Sequence, residues 1–185
     1  LGSNYLSYDF LGSKLNRDEK GEIISTSFTC YAPNAKEVRL VSSDNNFEGW
    51  KHVLTKIHHQ GVFSITIPRN LEWVTYKYEI HLYNGEVLYK SDPFAMFSEV
   101  RPANASKVYD IDGYKWNDES WFKNKKNIDQ EPMLIYEVHL GSWKKNNNEF
   151  IKYNDIADDL IKYVKENGFT HIELMPIYEH PLDDS

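Results

Sequence analysis

Cysteine is almost absent from this 185-residue chain, and its scarcity excludes a disulfide framework. The single cysteine, Cys30, has no second thiol in the chain to pair with. It lies among the alternating residues of a predicted strand, so we interpret it as a buried structural thiol. A chain that does without disulfides is typical of a reducing compartment, and we predict a cytoplasmic location.

Excess basic charge and long apolar runs are also missing. The 21 Lys and Arg are outnumbered by 28 Asp and Glu, which gives a net charge of −7, so the chain lacks the basic footprint of nucleic-acid-binding proteins. No stretch reaches the roughly 18 consecutive apolar residues of a membrane span, and no secretory hydrophobic region is visible. We therefore predict neither a nucleic-acid nor a membrane partner.

Histidines are few and are not arranged as metal ligands. His58 and His59 are neighbours in a predicted loop, without further ligands near them in sequence, whereas a zinc site needs three or four ligands at characteristic spacings. We predict no metal site and no cofactor. Aromatic residues, in contrast, make up 15% of the chain. Most must be core, but this supply also suits a protein that binds sugars, because aromatic rings pack against the apolar face of a pyranose.

Short alternating patterns predict a β-sandwich over residues 1–109. Ile24, Thr26, Phe28 and Cys30 alternate with polar residues, and residues 63–67 and 76–82 repeat the pattern. Asn84-Gly85 predicts a type I′ hairpin turn. Many short strands at this spacing are typical of two packed sheets.

The rest of the chain has a different character. Residues 110–131 are polar and charged and are interpreted as a connector. Residues 134–140 predict a strand, residues 170–176 predict a second strand, and the apolar period between them predicts a helix that Asn154 or Asp155 caps. A strand, a helix and a second strand predict a parallel α/β unit.

Three segments are similar to a known family. Residues 28–36 read Phe-Thr-Cys-Tyr-Ala-Pro-Asn-Ala-Lys, residues 136–143 read Tyr-Glu-Val-His-Leu-Gly-Ser-Trp, and residues 168–181 read Gly-Phe-Thr-His-Ile-Glu-Leu-Met-Pro-Ile-Tyr-Glu-His-Pro. With them, the chain resembles the N-terminal part of the 1,4-α-glucan (glycogen) branching enzymes of the α-amylase superfamily. The first segment is similar to a strand of their starch-type carbohydrate-binding module, and the other two to the first strands of their catalytic barrel.

The resemblance implies a mainly β fold. An immunoglobulin-like β-sandwich would occupy residues 1–109 and a connector residues 110–131. Residues 132–185 would hold the first β-α-β unit of a truncated TIM barrel, because a complete barrel needs about 200 residues or more. One departure concerns the loop after the second sandwich strand of the family. Its Gly-Asp-Phe-Asn-x-Trp pattern is replaced at residues 42–50, where Phe47 or Trp50 stands for the tryptophan.

The resemblance also implies a reaction and its residues. Branching enzymes cleave α-1,4 glucan links and re-form them as α-1,6 branches by a retaining mechanism that uses a pair of carboxylates. In the family those carboxylates lie on later barrel strands, so we expect no catalytic residue in this chain and no branching by residues 1–185 alone. We interpret Glu137 and Glu173 as polar strand residues, and expect glucan contacts from five residues: Trp50, Trp73, Trp143, Glu179 and His180.

Two other interpretations stay open from sequence alone. The sandwich could be a non-catalytic carbohydrate-binding or protein-interaction module, or the chain could belong to a related debranching enzyme or trehalohydrolase. In every case, two parallel strands without neighbours expose apolar faces and unpaired edges. We therefore expect α-glucan as the main partner, and self-association through the barrel edge as a further possibility.

Overall fold

The computed structural model describes residues 5–127 and 131–178, which divide into two compact units, residues 1–115 and 116–185. In the first unit the strands are β1 (Gly12–Arg17), β2 (Ile23–Tyr31), β3 (Ala35–Ser42), β4 (Thr55–His58), β5 (Val62–Ile67), β6 (Thr75–Leu82), β7 (Val87–Lys90), β8 (Phe97–Ser98) and β9 (Ser106–Lys107). Short 3-10 helices lie at Ser7–Asp9, Ser43–Asn45 and Gly49–Lys51.

These strands form two antiparallel sheets. One has the order β1-β2-β5-β4 and the other the order β3-β6-β9-β8, with β7 paired to β6. Alternation explains how the two sheets pack, because each strand turns every second side chain toward the facing sheet. The predicted β-sandwich is therefore observed.

The core of the sandwich is aromatic. Phe28 of β2 and Tyr76 of β6 are fully buried and meet edge to face with ring centroids 5.0 Å apart. Val38, Leu40, Phe63 and Tyr78 are buried in the same cluster. Cys30 belongs to it as well, which confirms the interpretation of a structural thiol, and burial raises the pKa of this thiol to about 12.

The β6–β7 hairpin differs from the predicted type I′ turn. A type I′ turn requires positive φ at two consecutive residues, but in this turn only Gly85 has one, at +88°. The Gly85 N–H donates to the Leu82 carbonyl and the Leu82 N–H donates to the Glu86 carbonyl. The connection is therefore a three-residue loop with a left-handed glycine at its end, and the predicted turn type is wrong.

The second unit contains α1 (Glu119–Asn124), β10 (Ile135–Val138), α2 (Leu140–Trp143), β11 (Lys145–Asn146), β12 (Glu149–Phe150), α3 (Tyr153–Glu166) and β13 (His171–Leu174). Strands β10 and β13 pair in parallel, with Glu137 directly opposite Glu173. The predicted β-α-β unit is thus present, with shorter strands than expected because Leu140 already belongs to a helix.

Helix α3 packs a narrow apolar stripe against Val138 of β10. Ile156, Leu160 and Val164 are its buried residues, as the period of the sequence predicts. The helix begins one residue before the predicted cap region, because the N–H groups of Asp155 and Ile156 donate to the Lys152 carbonyl. Lys152 is its N-cap, and the predicted Asn154 or Asp155 cap is wrong.

Candidate functional site

Trp50 lies on the second sheet of the sandwich and faces solvent. Its side chain is 66% exposed in the 3-10 helix Gly49–Lys51. The preceding Gly49 is buried so tightly that a Cβ there would come within 3.1 Å of the Arg39 Cβ and of a Glu79 carboxylate oxygen. The absence of a side chain at Gly49 therefore lets this turn lie directly on β3 and β6 and present the indole outward.

Two further exposed rings lie on the same sheet. Phe47 is 57% exposed with a φ of +58°, and Tyr89 of β7 is 58% exposed. Phe47 and Tyr89 line one shallow concavity of about 330 Å³, to which Lys77 and Glu99 contribute polar groups. We call Phe47, Trp50 and Tyr89 the aromatic face.

A polar network lies beneath the aromatic face, centred on the buried carboxylate of Glu79. Tyr89 Oη donates to it at 3.0 Å, His81 Nε2 lies 2.6 Å from it, and Arg39 forms an ion pair with it at 3.4 Å. The hydrogen bond to Glu79 raises the pKa of Tyr89, with the carboxylate charge acting in the same direction. The hydrogen bond to Glu79 therefore orients the Tyr89 ring.

This face is only partly predictable from the sequence. The sequence singled out Trp50 directly and named Phe47 only as an alternative to a missing tryptophan. Tyr89 was not singled out, because its position beside the loop of residues 42–50 depends on the pairing of β7 with β6. Tyrosine at an outward-facing position of a short strand was the only available signal.

Trp73 belongs to a different aromatic cluster. Its ring meets those of Phe97 and Tyr109 edge to face, with centroids 5.4 and 4.9 Å away, while 52% of the residue stays exposed. Its backbone has a φ of +67°, and its N–H donates to the Val108 carbonyl at 2.7 Å. Trp73 thus packs against neighbours and keeps one exposed surface.

Trp143 is held within the second unit. Its indole Nε1–H donates to Tyr136 Oη at 2.9 Å, and its ring meets that of Tyr163 at 5.9 Å. It packs against the buried cluster of Val138, Leu160 and Val164. These contacts orient the ring from inside the unit. Glu179 and His180, the two other expected glucan contacts, lie outside the described residues.

Glu137 and Glu173 are exposed and lie directly opposite each other in the parallel pair. His58 and His59 stack with ring centroids 4.3 Å apart. Over residues 5–127 and 131–178, no group of three or more His, Cys, Asp or Glu side chains could hold a metal ion. In the same ranges no helix is both long and apolar enough to cross a membrane.

The sandwich region matches a known family of domains. Residues 10–95 match carbohydrate-binding module 48, described as the isoamylase N-terminal domain. Pullulanases show the same fold. The apo pullulanase of Klebsiella pneumoniae has a TM-score of 0.66 and 23% identity to this chain. The match covers 91% of this chain and 20% of the pullulanase chain. The pullulanase of Bacillus acidopullulyticus has a TM-score of 0.62 and 21% identity to this chain. The match covers 94% of this chain and 22% of the pullulanase chain.

Sequence relatives match the chain along its whole length. It is 50% identical to the 1,4-alpha-glucan branching enzyme GlgB of Bacillus caldolyticus and 43% identical to that of Bacillus subtilis, in both cases over 100% of this chain. The chain spans 28% and 30% of the length of these two relatives and matches their N-terminal region. Along its full length the chain is therefore similar to the N-terminal region of 1,4-alpha-glucan branching enzymes, and its residues 10–95 match carbohydrate-binding module 48.

Proposed function

We propose that this chain is the glucan-binding N-terminal region of an enzyme that cleaves α-1,4 glucan links and re-forms them as α-1,6 branches by retaining transglycosylation. The name of the relatives supports the reaction. The observation that carries glucan binding is the aromatic face, which is exposed on a domain that matches a carbohydrate-binding module. In this proposal the sandwich covers residues 1–109, a connector residues 110–131, and the start of the catalytic barrel residues 132–185.

The chemistry of the aromatic face suits a glucan chain. A pyranose has apolar C–H faces and polar hydroxyl edges, and sites that combine flat rings with a few fixed polar groups recognise both. Trp50 and Tyr89 offer the rings, and Lys77 and Glu99 border the concavity that Phe47 and Tyr89 line. The Lys51 ammonium lies 5.4 Å from the centre of the Trp50 ring and pairs with Glu48 at 2.9 Å.

Electrophoresis in gels that contain glycogen tests the proposal. We expect the chain to migrate more slowly with glycogen than without it, relative to a marker protein that does not bind glucans. Replacing Trp50 with Ala should weaken the apparent affinity about tenfold, because the largest exposed ring of the face is lost. The measurement is the dependence of relative mobility on glycogen concentration.

Two matched variants sharpen this test. Trp50→Phe keeps a ring and should restore much of the retardation, whereas Tyr83→Ala removes a 72% exposed ring from the β6–β7 turn and should change nothing. Identical mobility with and without glycogen for the unaltered chain would refute glucan binding and favour a protein-interaction module. Unchanged retardation of Trp50→Ala would place binding elsewhere on the chain.

Self-association is a second part of the proposal. Ile135, Ile172, Leu174, Met175 and Ile177 are each at least 39% exposed on or beside the β10–β13 pair. Exposed apolar side chains on the two faces of a strand pair are a pairing hazard unless another surface covers them. We expect the apparent mass in sedimentation velocity to rise with concentration, and Ile172→Lys to reduce that rise. A concentration-independent monomer would contradict this expectation.

A cytoplasmic location stays a prediction.

A further inference from the structure

A second concavity on the sandwich shares no residue with the aromatic face. It has a volume of about 750 Å³ and is lined by side chains from the chain start and from the ends of β2, β5 and β7. Small-molecule sites typically occupy about 300–1,000 Å³. Phe10, Tyr31, Gln60, Lys90 and Phe94 give the concavity its chemistry.

The concavity combines exposed rings with few charges. Phe10 is 42% exposed and Tyr31 59% exposed, so both rings are available to a ligand. Gln60, Ser7 and Ser91 are uncharged polar residues of the lining, and the Ser91 hydroxyl donates to the Asn104 carbonyl. Flat rings beside neutral hydrogen-bonding groups fit a ligand with an apolar face and a polar edge.

The charged groups of the lining argue against an ionic ligand. The Asp92 carboxylate is buried and already accepts hydrogen bonds from Tyr76 Oη at 2.7 Å, Tyr78 Oη at 3.1 Å and the Phe94 N–H at 2.8 Å. It therefore has little capacity left for a cation. Among the lining residues that the structure describes, Lys90 is the one basic residue, and a single exposed amine is a weak basis for anion selectivity.

Two turns are closely packed in one wall of the concavity. Gly61 has a φ of +98°, and a Cβ there would come within 2.3 Å of the Pro33 Cα, so the β4–β5 turn lies directly against the β2–β3 turn. The Ala32 N–H donates to the Gly61 carbonyl at 2.8 Å. Tyr31 and Gln60 flank these two turns, and a preformed wall lowers the entropic cost of binding.

We propose that this concavity is a second glucan site, which holds a short segment of α-1,4-linked glucose with Tyr31 and Phe10 against the sugar faces. The proposal rests on the proposed function, since it assumes that the module meets α-glucan. Two separate sites on one small domain would let it hold two glucan segments, and joint occupancy would raise the apparent affinity for a branched polymer above that for a short linear chain.

Amide chemical shifts of the chain, titrated with maltoheptaose, test the second site. We expect the amides of Tyr31, Gln60, Lys90 and Ser91 to shift with a saturating dependence on sugar concentration. Tyr31→Ala should weaken the affinity derived from these shifts about fivefold, whereas affinity at the Phe47, Trp50 and Tyr89 amides stays unchanged. Tyr31 is largely exposed, so this variant is expected to fold, and its amide spectrum verifies that it does.

The outcomes separate the two proposals. If the chain is retarded by glycogen but the concavity amides do not respond to maltoheptaose, the second site is refuted and glucan binding by the module stands. If Tyr31→Ala and the Tyr83→Ala control have the same affinities at the concavity amides, the second site is also refuted. A chain that shows neither retardation nor any shift refutes both proposals together.

Discussion

Replacing Asp92 with Ala is expected to lower the free energy of unfolding of the sandwich by about 2–5 kcal/mol. Two buried tyrosine hydroxyls, those of Tyr76 and Tyr78, donate to the Asp92 carboxylate. Removing the carboxylate leaves both hydroxyls in the core without this acceptor. Each unsatisfied buried group costs about 1–3 kcal/mol. The Phe94 N–H loses its acceptor as well.

Cys30 allows this loss to be measured in the sandwich alone. It is the single cysteine and is buried in the same core as Tyr76 and Tyr78. Cys30 is only 7% exposed although it borders the 750 Å³ concavity, so a bulky thiol reagent should label it much faster when the sandwich opens. We expect pulse labelling across a urea series to show a lower urea midpoint of unfolding for Asp92→Ala than for the original chain. Asp112→Ala, at an exposed position, is the control and should leave the midpoint nearly unchanged.

A rescue variant distinguishes the hydrogen-bond explanation from a packing explanation. When both partners of a buried hydrogen bond become apolar, the cost of an unpaired group disappears. Tyr76→Phe and Tyr78→Phe, added to Asp92→Ala, should therefore recover part of the lost stability. A triple variant that is less stable than Asp92→Ala would show that the hydroxyls were not the cause, and a single variant within about 0.5 kcal/mol of the original would refute the prediction.

The sequence predicted those strands whose buried faces alternate with polar ones. Residues 63–67 and 76–82 carry apolar side chains at every second position because one face of each strand meets the core, so their pattern records their burial. Side-chain alternation does not predict strands β1 and β4. All four residues of β4 are exposed, and β1 follows β2 through ladder hydrogen bonds. Backbone pairing leaves no trace in side-chain periodicity.

Site residues were predictable only where the side chain itself carries the signal. A tryptophan in a polar loop singled out Trp50, but Tyr89 gained its place only through the pairing of β7 with β6. Tyr31 of the second concavity lies at the last position of β2, and its neighbours come from distant turns. The Asp92 carboxylate likewise has a role only because two core tyrosines reach it. These assignments depend on contacts far apart in sequence.

Alkaline pH is expected to unfold the sandwich through three buried groups. Burial raises the pKa of the Cys30 thiol to about 12 and, as the largest cause in each, also raises the pKa values of Tyr76 and Tyr78. The unfolded chain releases these protons near pH 9 for cysteine and pH 10 for tyrosine. Above those values the folded sandwich binds more protons than the unfolded chain, so its stability falls as pH rises.

The magnitude of this loss is large compared with ordinary domain stability. Each group contributes up to about 1.4 kcal/mol per pH unit once its unfolded form has ionised. A pH of about 11 lies about two units above the unfolded pKa of Cys30 and about one unit above that of each tyrosine. Together the three groups therefore lower the free energy of unfolding by about 5 kcal/mol. Because domains are typically stable by about 5–15 kcal/mol, we expect the sandwich to unfold between about pH 10 and pH 12.

Tyrosinate absorbance and urea midpoints at increasing pH measure this transition. Stability should be nearly constant from about pH 7 to pH 8 with respect to these groups, because below pH 9 both states keep the three protons. Cys30→Ala should delay the onset of the loss from about pH 9 to about pH 10, since only the tyrosines then remain. Tyr83→Phe, at an exposed turn position, should leave the profile unchanged. A urea midpoint that stays constant from pH 8 to about pH 11 would show that the three groups ionise without unfolding, and would refute the assignment of their raised pKa values to burial.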